Sequence, residues 1–198
     1  QEAESPVIPN GIRLIDGDLY LLTYGDGLFL QTSQGWQQVA FEASAILDLD
    51  KNLVDGFVYA SVCAGEGDCR TYRFDQNGWK AFQGGLSGIS VNDFLSTETG
   101  FFAAADTGIY VLDNANGSWD LVIPSAKPVL SLTQANNSCV LAAGGVGEYF
   151  ISSDCGLTWQ RIEGEENWHY QAAALTYGTP AKLILGSAEA GASLVSID

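Results

Sequence analysis

Four aspartates, Asp16, Asp48, Asp50 and Asp93, stand near the inner ends of short apolar segments rather than in a polar tail. Two carboxylates about 5 to 9.5 Å apart suffice for acid and base or nucleophile roles at a glycosidic bond, so these four are where hydrolysis would have to be done. Acidic residues at strand ends more often serve as solvated turn formers. The run Asp48, Asp50, Asn52, Asp55 places oxygen ligands at positions 1, 3, 5 and 8, a spacing that lets alternate side chains of a tight loop turn toward one hard cation such as Ca2+. No other cofactor is implied. A third cluster, Trp168, His169 and Tyr170, joins the sole histidine to two aromatics, a candidate surface for a sugar ring or a partner's side chain. His169 has no nucleophile elbow to serve, since no G-x-S-x-G occurs, and no P-loop or dinucleotide fingerprint is present. No catalytic residue is assigned, and the expectation is a protein that is not an enzyme.

The elements that must hold these groups follow from a repeat. Trp36, Trp79, Trp119 and Trp159 lie 43, 40 and 40 residues apart, each led in by a turn: TSQGW, DQNGW, NANGSW and SSDCGLTW. Ahead of each turn comes a pair of apolar segments broken by glycine, such as FFAAADTGIYVLD, and ahead of that a further short segment such as VNDFLST. Period-2 apolar runs bounded by Gly and Asn read as hairpins. Four strands every ~40 residues make the blade of a β-propeller.

The expected fold is therefore all-β, a five-bladed propeller of four-stranded antiparallel blades forming a single domain over residues 1–198. After the fourth Trp the chain supplies three more strands, and the segment Ser5 to Pro9 is expected to add the outer strand of that last blade and so close the ring. Closure would remove two apolar terminal faces from water. A β-sandwich or a barrel is the alternative fold.

Composition bounds the partners. Acidic residues outnumber basic ones 24 to 8, a formal charge of −16, so a polyphosphate would be repelled and nucleic acid is excluded as an expected partner. No run reaches the ~18 to 20 apolar residues of a membrane helix. Four cysteines allow three connectivities. The local one, Cys63 with Cys69 and Cys139 with Cys155, sets each pair across one hairpin at disulfide distance. The alternatives are four buried thiols or a zinc site, the latter disfavoured by the lack of CxxC and a single His. Asn116 and Asn136 begin N-glycosylation sequons. The expected setting is secreted or extracytoplasmic.

Ser152, Asp154, Gly156, Thr158 and Trp159 match in full the Asp box of sialidase-type (BNR-repeat) propellers. The resemblance covers that one turn, while the other three turns keep only Gly and Trp. In that family the box joins the third and fourth strands of a blade, away from the catalytic face, which implies a structural staple. The four repeat tryptophans are expected to staple blade to blade. Sialidases also require three convergent arginines; of Arg13, Arg70, Arg73 and Arg161, two share one short segment. The 48–55 run is similar to the calcium loops of integrin-type propellers, but the last Asp falls one place early and the Gly is displaced. Taken together, these features predict a non-enzymatic binding or assembly module, a protein-interaction scaffold or subunit of a larger assembly. A glycan-binding lectin and a glycoside hydrolase using funnel carboxylates stand as the alternatives.

Overall fold

Residues 7–65, 67–82, 84–136, 138–176 and 182–197 are described by a computed structural model. They form nineteen strands, and no helix occurs among the described residues. The first sheet is β1 (Pro9–Ile15), β2 (Asp18–Thr23), β3 (Leu28–Thr32) and β4 (Gly35–Ala40). The second is β5 (Ala45–Lys51), β6 (Val58–Cys63), β7 (Cys69–Asp75) and β8 (Gly78–Ala81). The third contains β9 (Val91–Ser96), β10 (Phe101–Ala105), β11 (Gly108–Asp113) and β12 (Ser118–Pro124). The fourth contains β13 (Val129–Gln134), β14 (Leu141–Gly145), β15 (Glu148–Ser152) and β16 (Gln160–Glu163). The fifth is three-stranded, β17 (Tyr170–Leu175), β18 (Lys182–Ser187) and β19 (Gly191–Ser196). Every sheet is an antiparallel meander in chain order, as the repeat predicts.

Of the segment expected to complete the last blade, Ser5 and Pro6 lie outside the described residues. Pro9 opens β1 opposite Thr23, and the Ile8 carbonyl accepts the Tyr24 amide at 3.0 Å, so both belong to the first sheet. Among the described residues the fifth sheet has no fourth strand.

The strands gather into two compact units. One holds the first two sheets; the other holds the last three with the segment Asn52–Gly56. In the first unit Leu22, Leu28, Ile46 and Leu49 are buried between its two sheets. In the second, Phe102, Ile109, Leu141 and Phe150 fill the space between the third and fourth sheets, and Tyr149, Leu183 and Leu185 pack between the fourth and fifth. Inner strands are also stitched by side chains. Asn10 donates to the Ile46 and Leu47 carbonyls at 2.7 and 2.9 Å, Asn92 to the Val129 carbonyl at 2.9 Å, and Ser131 to the Tyr170 carbonyl at 3.0 Å. Such bonds satisfy the bulged register that the innermost strands show at these points.

Cys63 pairs with Cys69 and Cys139 with Cys155, each with Cα atoms 4.0 Å apart. The first bridge joins residues directly opposite on β6 and β7, and the second clasps the ends of the β14–β15 hairpin.

Candidate functional site

The turn over residues 152–159 shows how a sheet-to-sheet space is sealed. Ser152 Oγ donates to Asp154 Oδ1 at 2.8 Å and accepts the Gly156 amide at 2.8 Å. Asp154 in turn accepts the Thr158 amide at 2.9 Å and the Thr158 hydroxyl at 2.6 Å, and the Trp159 indole donates to the Gly156 carbonyl at 3.2 Å. Cys155 and Gly156 both adopt positive φ, 60° and 85°. The closed turn lowers the Gly156 backbone onto the outer end of the third sheet, where an added Cβ would lie 2.4 Å from the Phe102 ring. Trp159 meets the same ring edge-on at 6.3 Å. This turn works as a plug.

The Asp154 carboxyl is held below the ordinary carboxylate range, first by the Thr158 hydroxyl and then by the Thr158 amide and Ser152. Its folded pKa lies under its unfolded one, so the carboxylate's stabilisation is full above about pH 4 and is lost as pH falls through the depressed value. Asp154→Asn is therefore expected to flatten the acid limb of a thermal-midpoint profile taken between about pH 2 and pH 6. Acid limbs of equal steepness would contradict this role.

The first unit carries the same arrangement without the plug. Tyr20 holds in β2 the place of Phe102 in β10: Tyr20 is paired with Leu30, as Phe102 is with Val111. Yet β7 and β8 are joined by Gln76 and Asn77 alone, a turn closed by the Asp75 carboxylate accepting the Asn77 amide at 2.7 Å. Such a short turn cannot reach across to the first sheet. What remains is a cleft of about 400 Å³. Tyr20, Leu28, Leu30 and Val39 form one wall, and Leu49, Val58, Phe74 and Trp79 form the other. Leu28 and Leu49 are fully buried at its floor, whereas Val39 and Phe74 at its lip are 45% and 44% exposed. Trp79 is held in the wall by ring contacts with Phe41 at 5.0 Å and Phe74 at 5.1 Å.

Among the described residues lining the cleft, polar side-chain groups are limited to the Tyr20 hydroxyl and the Trp79 indole N–H. The Tyr20 hydroxyl is pushed above its usual pKa, by burial first and then by the nearby Asp18 and Asp16 carboxylates, so it stays a hydrogen-bond donor. The volume falls within the range of ligand pockets, about 300–1,000 Å³. This arrangement can take up an apolar group and orient it with one or two hydrogen bonds.

Apart from Trp79, the residues singled out from sequence lie elsewhere. Trp168 packs edge-on to Tyr170 at 6.1 Å against the core under the fifth sheet, Tyr170 is buried, and His169 Nδ1 stands 3.0 Å from Glu189. Glu189 is drawn down to about 2, chiefly by the Ser187 hydroxyl. Asp48 is buried in an ion pair with Arg13 at 2.5 Å, Asp16 with Lys51 at 2.7 Å, Asp50 accepts the Lys51 amide, and Asp93 accepts the Leu132 amide. Asn52 bonds Asn114 at 2.8 Å and accepts the Val54 amide. The 48–55 run is thus drawn toward separate partners, and among the described residues no three His, Cys, Asp or Glu gather as a metal site. Asp55 is half-buried in the turn after Asn52. Arg70 pairs with Asp68, Arg161 with Glu148, and Arg73 lies over the Phe57 ring.

The tryptophans divide. Trp119 is buried against Phe101 at 5.6 Å and Trp159 is half-buried against Phe102, but Trp36 is 42% exposed, on the face of the first sheet that its neighbour in the unit does not cover. The sequons open at exposed residues. Asn116 donates to Asp113 at 2.5 Å, Asn136 sits at positive φ, and Asn137 lies outside the described residues. Among the described residues no helix is long and apolar enough to cross a membrane.

These features define the class: an all-β, antiparallel, five-bladed β-propeller with an open apolar cleft between its first two blades. Solved structures bear out the fold. The extracellular domain of the hybrid two-component system BT4673 from B. thetaiotaomicron matches 98% of this chain and 28% of its own length, with TM-score 0.70 and 14% identity. YCF48 bound to D1 peptide matches all of this chain and 67% of its own, at TM-score 0.66 and 17% identity. The WD40 β-propeller domain of Doa1 matches 94% and 63%, at TM-score 0.63 and 13% identity. The chain thus spans under a third of the BT4673 domain. No protein-family model matches the chain. No curated protein sequence matches it.

Proposed function

We propose that the protein is a non-enzymatic, extracytoplasmic binding module that holds an apolar side chain of a protein partner in the cleft between its first and second blades. The observation that carries this reading is the unsealed cleft itself. Exposed apolar concavities are kept where something covers them, since leaving them wet forfeits roughly 25 cal/mol per Å². The neighbour YCF48 is described with a bound D1 peptide, and the same fold here offers a recess of side-chain size. Two formed disulfides support an oxidising compartment. We read the 152–159 turn as an Asp box used as a plug, in a non-catalytic member of that kind of propeller.

Val39→Trp tests the site. Val39 stands on β4 at the lip, and an indole there would occupy the recess. Stability should hold or rise by about 0.5–2 kcal/mol, as cavity filling does. Native mass spectrometry of the protein isolated from its source should find a second polypeptide on the wild type and none on Val39→Trp. Retention by both would place the partner off the cleft. A sugar adduct in place of a polypeptide would favour the lectin.

A further inference from the structure

The cleft has one lip of carboxylates. Asp16, in the β1–β2 turn, and Asp18, the first residue of β2, stand four and two residues before Tyr20 and near its hydroxyl, and Asp75 opens the turn that ends at Gly78 on the opposite wall. Asp16 is bonded to Lys51 and Asp75 to Lys80, but among the described residues Asp18 has no cationic partner. The whole chain adds a formal charge of −16. Charge of this sign near an apolar recess attracts cationic groups and repels anionic ones.

The walls also discriminate. Tyr20, Phe74 and Trp79 present rings to the recess, and ring-to-ring contacts add about 0.5–1.5 kcal/mol beyond area buried. An apolar cavity of about 150 Å³ takes a benzene ring, so about 400 Å³ leaves space for an indole with aliphatic chain beside it. The exposed face of Phe74 is a landing place for a flanking Lys or Arg.

We propose that the occupant of this cleft is an aromatic side chain carried on a basic protein segment, inserted at the point that the 152–159 turn seals in the second unit. The proposal rests on the cleft being the binding site and adds the chemistry of what enters it. Aromatic insertion supplies the contact energy, and the flanking cations supply selectivity through the carboxylate lip.

Three peptides separate the components: Ac-Lys-Trp-Lys-NH2, Ac-Glu-Trp-Glu-NH2 and Ac-Lys-Ala-Lys-NH2, titrated into the full chain and followed by two-dimensional NMR. The Lys-Trp-Lys peptide is expected to shift the Tyr20, Leu30 and Trp79 signals saturably and to bind about fivefold more tightly than Glu-Trp-Glu at low salt. The ratio should shrink to within about twofold at 0.5 M salt, where exposed charges are screened. Asp18→Asn should narrow it at low salt as well. Equal binding of the two Trp peptides at the cleft would overturn the basic-segment proposal while leaving the cleft as the binding site. Equal binding of Lys-Ala-Lys and Lys-Trp-Lys would overturn aromatic insertion. Silence of the cleft signals with all three would overturn both.

Discussion

Phe150→Ala is expected to cost about 3–5 kcal/mol, the range for deleting a buried aromatic ring. Phe150 is wholly buried at the centre of β15, opposite Ala143 on one side and Arg161 on the other, amid Phe102, Ile109, Leu132 and Leu141. Antiparallel strands on both sides hold its backbone in register, so the sheet cannot collapse into the space left behind. The loss therefore combines transfer and cavity terms. Urea unfolding of the oxidised protein measures it. A loss under about 1 kcal/mol would mean that the third and fourth sheets are not packed against each other as described.

Gly156→Ala follows, at about 2–5 kcal/mol, and through a different cause. The left-handed φ of 85° costs an L-residue about 1–2 kcal/mol, and the new methyl group meets the Phe102 ring, against which overpacking adds about 1–3 kcal/mol. Neither strain can be relieved by the turn alone, because Ser152, Asp154 and the Cys139–Cys155 bridge fix it on both sides. Gly78→Ala, also at positive φ but with nothing within 4 Å of the added carbon, should pay only the conformational part. The comparison isolates the contact. Equal losses at the two positions would contradict the description of the 152–159 turn as a plug.

Much of this fold is written in its spacing. The Trp register and the glycine-broken apolar pairs mark the sheets, and the cysteines flanking AGEGD and the β14–β15 hairpin sit where antiparallel pairing brings their Cα atoms together. The internal bonding of the 152–159 turn also follows from its residue types, since Ser, Asp and Thr can satisfy a turn's own amides.

The cleft was not legible in the same way. Trp36, Trp79, Trp119 and Trp159 share a register, yet their surroundings differ: Trp159 is lowered onto Phe102 by a long turn, Trp79 follows a short one, and Trp36 faces solvent. The signal was the length of the third-to-fourth-strand turn, DQNG against SSDCGLTW, which carries meaning only once Tyr20 and Phe102 are known to be equivalent. Trp168 stood out because it lies outside the register, and it serves the core below the fifth sheet. Asp48 read as a cation or catalytic ligand until Arg13, far from it in sequence, took it as an ion-pair partner.

The most direct test of the cleft as the working site is a titration of the full chain with N-acetyl-tryptophanamide, observing the five indole N–H signals by NMR. The account predicts a saturable shift of the Trp79 indole, abolished in Val39→Trp, with the Trp119 indole unmoved. Shifts confined to Trp36 or Trp168, or a Trp79 signal that does not respond, would contradict it.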